Sequence, residues 1–294
     1  MVIILSIFQY LLQTITDVMD KFLISKRKIE PVNYTFYTVV TGLLLLVAWP
    51  WFFAHASIGY ILFSMLSGAV FSLAMYVFYV ALQDGEVSRV VPFVYGLVPL
   101  FDILLGLVLK TTHLKLIEVA ALFLLIPGAL LMGYKKGKFL TRHVGVKVLA
   151  AFLLSLYYVL WFTASHNQPV INNLMWNRIG ATLVLLPLLF FAGPRKKILH
   201  AEKVEQKQHT AFLFLFKQVL GGATFIFLSY LLAIGPVSVI NALQGFRYVF
   251  LFLIAAFLSS KSRHILDEDI DKHTIRVKIV AIILMFLGTL ILFL

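Results

Sequence analysis

Apolar residues in this chain run on in long stretches, almost free of charge, with shorter polar segments between them. Ten such stretches occupy roughly residues 2–23, 32–54, 59–82, 87–109, 115–134, 146–164, 170–192, 211–234, 237–259 and 276–294. About 20 apolar residues in a helix match the thickness of a bilayer's hydrocarbon core. Each stretch is therefore predicted to be a spanning helix. Several connections are only a few residues long, such as His55–Ile58, Gln83–Glu86 and Gly235–Pro236, so successive helices must lie antiparallel. Three longer connections, Lys135–Lys147, Pro194–Thr210 and Lys261–Lys278, are polar and basic. The opening MVIILSIFQYLLQTI has neither a charged leading region nor a small-residue cleavage site, and reads as the first spanning helix rather than a removable signal.

The pattern repeats itself. Pro31 and Gly42, at the second stretch, recur at the seventh as Pro169 and Gly180, both 138 positions later. Val87-Ser88 opens the fourth stretch and Val237-Ser238 the ninth, 150 positions later, while Gly128 recurs as Gly288 after 160. Three matches in the same order point to two five-helix halves, residues 1–138 and 139–294. Because each half holds an odd number of helices, the second enters from the opposite side, the inverted-repeat plan of secondary transporters. The expected fold is an all-α polytopic membrane protein with ten transmembrane helices in two five-helix inverted repeats.

Composition agrees with this reading: 61% of the 294 residues are hydrophobic and 13% charged, against nearly half and a quarter in soluble domains. A water-soluble enzyme is excluded. The net charge of +12 sits mostly between the apolar runs, where lipid head groups account for it; no nucleic-acid partner is expected. Cysteine is absent, so there is no disulfide framework and no thiolate metal site. The connections that follow odd-numbered stretches, the odd face, hold Lys26, Arg27, Lys28, Lys135, Lys136, Lys138, Arg142, Arg195, Lys196, Lys197, Lys261 and Arg263. The opposite, even face has little beyond Lys110 and Lys115. The positive-inside rule places the odd face in the cytoplasm and both termini outside.

Candidate chemistry lies where polar groups interrupt the runs. Asp102, Arg178 and Arg247 stand at membrane depth, where an unpaired charge costs about 2.5–3.5 kcal/mol. Asp102 could pair with either arginine, leaving one cation over. The charges either lock helices together, or the spare cation holds a substrate carboxylate or phosphate, or Asp102 carries a coupling proton. On the fourth stretch Ser88, Pro92, Tyr95, Pro99 and Asp102 share one helical face. The two prolines, each removing a backbone donor, are expected to break this helix and free the carbonyls of Ser88 and Tyr95. Gln9, Gln13 and Asp17 form a second stripe, on the first stretch, and Asn241, Gln244, Arg247 and Tyr248 a third, on the ninth.

Trp161 and Tyr158, beside Ser155, could stack on a flat substrate or simply pack. Asp20 and Lys21 read as interfacial, Lys217 as snorkelling, Gly221-Gly222 as a close-packing notch, and Asp267, Glu268, Asp269 and Asp271 as solvated charge. No HExxH, Cys-x-x-Cys, Walker A or GxSxG motif occurs. No metal, cofactor or catalytic residue is therefore expected.

The stretch ALQDGEVSRVVPFVYGLVPL, with its Val-Ser opening and Pro99, resembles the EamA-like branch of the drug/metabolite transporter superfamily. So do Asn177-Arg178 early in the seventh helix and the small-residue motifs at Gly128 and Gly288. Val40 stands where the first half would carry a counterpart of Arg178. The resemblance implies an inner-membrane secondary carrier, often an exporter of amino acids, related metabolites or drugs, with a cavity lined by helices 1, 3, 4, 6, 8 and 9. In many relatives both termini lie inside.

The expected function is transport of a small polar metabolite by alternating access. Gln9, Gln13, Tyr95, Trp161, Asn241, Gln244 and Arg247 would bind substrate; Asp17, Asp102 and Arg178 would serve coupling or ion pairing, with protons as a candidate coupling ion; Pro92 and Pro99 would be helix breaks. A lipid-linked flippase of the same fold and a non-transporting structural subunit are the alternatives. A membrane-embedded enzyme would need a convergent acid, base or metal cluster. Charge and family habit disagree on orientation. Phosphatase and fluorescent-protein fusions at each terminus decide it: the charge pattern predicts active phosphatase and dark fluorescent protein.

Overall fold

The computed structural model describes residues 1–109, 116–134, 144–165, 168–199, 207–261, 266, 268–269 and 271–293. Its described secondary structure is helical. The helices are α1 (Val2–Lys26), α2 (Pro31–Val47), α3 (Ile58–Asp84), α4 (Val87–Val108), α5 (Leu116–Gly133), α6 (Val144–Ser165), α7 (Val170–Leu189), α8 (Gln208–Leu231), α9 (Val239–Lys261) and α10 (Lys272–Leu292). Among the described residues eight of these are long and apolar enough to cross a membrane. The sequence expectation of ten equivalent spans is thus met only in part. α2 is shorter and tightens into a 3₁₀ helix from Gly42. α7 bends by 113° into the helix Ala192–Ile198, and counts as a ninth span only if the bent pair is taken as one. Pro187 lies at the start of the 3₁₀ turn that precedes this bend.

Two local expectations change. α4 is continuous from Val87 to Val108 with Pro92 and Pro99 inside it. The interruption falls instead on α9, between Val237–Ala242 and Gly245–Lys261. There Gln244 N donates to Asn241 O at 3.0 Å and Arg247 N to Gln244 O at 3.0 Å, the tighter i→i+3 pattern. Gly245 permits the close approach of α10 at this point: a Cβ there would sit 2.4 Å from the Phe286 ring.

Glycines also set the tightest helix contacts, as small residues do in membranes, where no hydrophobic force drives helices together. α3 packs along both α6 and α7. A Cβ on Gly180 would meet the Met65 carbonyl at 2.0 Å, and one on Gly68 the Asn177 carbonyl at 1.9 Å. α5 packs along α10, and the contact is reciprocal. Gly128 of α5 faces Ala281 and Met285 of α10, while Gly288 of α10 faces Ala121 and Leu125 of α5. Residues 121, 125 and 128 become 281, 285 and 288 under the same 160-residue shift, and the two helices run antiparallel. By contrast, no atom lies within 4 Å of a Cβ built on Gly221 or Gly222. The expected packing notch on α8 is open space, because α8 packs chiefly on α1.

Contacts between connections sort by face. On the odd face Ser88 meets Glu268 and Glu30 meets Lys197; on the even face Val2 lies against Gly235, and Asn172 accepts from the Ala54 amide at 3.3 Å. Replacing Gly180 with alanine is expected to lower stability by about 1–3 kcal/mol through overpacking. Gly221→Ala should leave it unchanged or raise it slightly. Thermal unfolding of the two variants in detergent, side by side, is the check.

Candidate functional site

The deepest polar contact joins α1, α9 and α4. Arg247 lies two residues past the interruption of α9, so its side chain leaves the helix toward α1. Its Nε and Nη2 donate to the two carboxylate oxygens of Asp17, both at 2.8 Å. The guanidinium lies 4.1 Å from the centre of the Tyr95 ring, and the arginine is 2% exposed. This bidentate geometry, with a cation–π face, is the arrangement that best compensates a charge withdrawn from water. Around it, the Tyr10 hydroxyl donates to the Ile240 carbonyl at 3.1 Å. The Thr14 hydroxyl lies 3.4 Å from the Arg247 carbonyl.

Arg247 therefore pairs with Asp17, and the expected pairing of Asp102 with Arg247 or Arg178 is not found. Seven residues, about 10 Å along a helix, separate Asp102 from Tyr95, which places its carboxylate beside α6 instead. There it accepts a hydrogen bond from the Ser155 hydroxyl. With Asp17 on both prongs of its fork, Arg247 has no uncompensated charge to offer an anion. Gln9 is buried and its amide lies 3.4 Å from the Gln13 carbonyl oxygen, while its own carbonyl oxygen has no partner. Gln13, Tyr95, Asp102, Asn241 and Gln244 all keep partial exposure. Pro92 is buried within α4 and Pro99 partly so.

Trp161 stands in an aromatic row. Phe71 of α3 lies 5.1 Å from Tyr157 of α6, Tyr157 lies 6.1 Å from Trp161, and Trp161 lies 6.2 Å from Phe225 of α8. Arg178 of α7 sits over Phe71, 5.2 Å from the ring centre.

Toward the odd face the helices are drawn together by charged groups taken from the sequence as exposed. Asp20 and Lys21 are buried, not interfacial. Asp20 accepts from the Tyr34 hydroxyl of α2 and pairs at 2.7 Å with Lys217 of α8. Lys217 is thus held inside the bundle rather than snorkelling, 5.5 Å from the Tyr34 ring. Lys21 donates to the carbonyls of Leu82 and Gln83, at 2.8 and 3.0 Å. Gln218 of α8 donates to Thr41 of α2 at 2.9 Å.

A second network binds α4 to α10. Lys278 pairs with Glu86 at 2.7 Å and with Glu268 at 2.8 Å, and Glu86 also pairs with Arg89 at 2.9 Å. Glu268 accepts from the Ser88 amide at 3.1 Å and from its hydroxyl. Glu268 is therefore a buried partner rather than solvated charge; Asp267 lies outside the described residues. A charge at the rim of an apolar run gives no sign of whether it turns in or out, which is why these pairs escaped the sequence. Among the described residues no group of three or more His, Asp or Glu side chains converges as a metal site would require.

Removing one member of a buried pair strands the other. Asp17→Asn is expected to destabilise the protein by about 3–5 kcal/mol, and Asp17→Asn with Arg247→Gln by clearly less than either single change. Thermal unfolding of the three variants measures this, and equal losses in singles and double would contradict it.

Residues 1–134 match the EamA-like transporter family. No curated protein matches the chain.

Proposed function

We propose that this EamA-like chain is a secondary transporter that carries a small polar metabolite across the cell membrane by alternating access. The observation that carries the reading is the distribution of its polar contacts. Hydrophilic groups at membrane depth, on α1, α4 and α9, meet at the centre. The hydrogen bonds and ion pairs that tie α1 and α8 to α2 and α3 gather from there toward the odd face. At the other end α8 meets α6 through the aromatic rings of Trp161 and Phe225. Around α8, a charged latch toward the odd face and ring contacts toward the even one favour an arrangement closed to the odd face and poised toward the even one.

The reciprocal α5–α10 contact supports two inverted halves, since a duplicated unit meeting its copy must present the same positions to itself. A second correspondence supports it as well. Asp17 of α1 engages α9 and Ser155 of α6 engages α4, and 17 and 155 are 138 positions apart, the shift that relates Pro31 to Pro169. Alternating access then amounts to exchanging the roles of the two halves.

Gln13, Asn241 and Gln244 give substrate its orientation, and the interruption of α9 supplies backbone groups beside them, as broken helices do where they line a polar site. Asp102, held by one serine hydroxyl and by no ion pair among the described residues, is the carboxylate suited to carry a coupling proton. The Asp17–Arg247 pair shapes the site rather than offering a free charge.

The direct test compares metabolites inside and outside cells with and without the gene; an unchanged profile for every polar metabolite would sink the transport reading. A mechanistic test uses the absence of native cysteine. A single cysteine in place of Gln13 is expected to react with a membrane-impermeant maleimide added at the even face. With Asp20→Asn added, labelling from the odd face should rise severalfold. Labelling that ignores the latch would count against alternating access.

A further inference from the structure

We propose that Arg178 is an anion-binding residue, and that its site takes the carboxylate of a small organic acid whose flat, apolar body lies along Tyr157 and Trp161. The inference deepens the transport reading and rests on it only for what happens after binding.

Arg178 has the uncompensated charge that Arg247 lacks. It forms no ion pair or side-chain hydrogen bond among the described residues, and its one ring contact is with Phe71, 5.2 Å away. Its own carbonyl accepts from Thr182 at 2.9 Å, which leaves the guanidinium untouched. A cation over a benzene ring recovers only part of what a lone arginine costs at the bilayer centre. Five N–H donors also remain unused.

The side chain is enclosed rather than turned to lipid. Phe71 of α3 lies under it, and Gly42 of α2 lies so close that a Cβ there would sit 2.9 Å from the Arg178 Cδ and 3.3 Å from its Nε. Glycine at 42 is what leaves room for the guanidinium. Even so, Arg178 keeps partial exposure.

What adjoins this cation is aromatic rather than acidic. Phe71 continues into Tyr157 and Trp161 in a row of rings 5.1 and 6.1 Å apart, all partly exposed. A fork of N–H donors beside a bare aromatic wall suits a planar carboxylate joined to an apolar body: the fork grips two oxygens and the rings cover the rest. The site lies about 12 Å along α7 from its even-face end, the end with the softer closure.

The test is equilibrium binding of radiolabelled phenylacetate and indole-3-acetate to the purified protein in nanodiscs, against the neutral phenylacetamide as a competitor. The wild-type protein should bind both acids and be indifferent to the amide. Arg178→Leu should weaken binding by roughly tenfold to a hundredfold, the effect of losing one charge-assisted hydrogen-bonded contact, and Arg178→Lys by less. If Arg178→Leu fails to yield monodisperse protein, the lysine variant and the acid-to-amide comparison decide the matter alone.

Absence of binding by wild type, equal binding of acid and amide, or undiminished binding by a folded Arg178→Leu protein would overturn the proposal. So would displacement of the acids by phosphatidylglycerol in the nanodisc, which would assign the cation to a lipid phosphate. Because the readout is binding, these outcomes stay distinct from the metabolite comparison: a protein that binds the acids through Arg178 and moves nothing would refute transport while leaving the site intact.

Discussion

A charge placed in hydrocarbon has to be answered by something close, and in this molecule the answer given to Arg247 organises the centre. Both prongs of its guanidinium rest on Asp17, with Tyr95 covering one face. The pair ties α1 to α9, and the ring brings in α4, so three helices share one compensated point. A bidentate fork tolerates little sliding or rotation. The pair therefore constrains the position of α1 relative to α9.

Distance between helices is governed by a different rule. At Gly68 and Gly180 between α3 and α7, and at Gly128 and Gly288 between α5 and α10, the fit leaves no room for even a methyl group. These contacts make α3–α7 and α5–α10 rigid pairs. The charged clusters around Asp20 and Glu268 are made by side chains that reach across gaps, and such links can be exchanged without remaking a helix interface. Rigid pairs joined by exchangeable polar links suit a machine that moves by shifting blocks.

Much of this was legible in the chain itself. The apolar runs foretold the helices, because hydrocarbon admits few other backbone arrangements. The recurrence of Gly128 as Gly288 marked the helices that meet reciprocally, and the match of residues 1–134 agrees with the resemblance read from the Val-Ser opening and Pro99. Asp17, Tyr95 and Arg247, one from each of the stripes on α1, α4 and α9, meet at one point.

Pairing was not legible, since which carboxylate reaches which arginine depends on helix rotation. Asp17 and Asp102 look alike in sequence, yet one faces α9 and the other Ser155. Proline misled for a related reason: Pro92 and Pro99 are accommodated inside a continuous α4, while α9 is interrupted at Leu243 and Gln244, residues with no special backbone preference, beside a glycine pressed by Phe286.

α8 is the least buried of the spans. It is held on one side by α1 and near its middle by Lys217 and Gln218, while Phe212, Phe216, Val219 and Ile226 stand exposed. Most of its neighbours are acyl chains. The stiffness and thickness of the surrounding lipid thus enter directly into how far this helix can tilt.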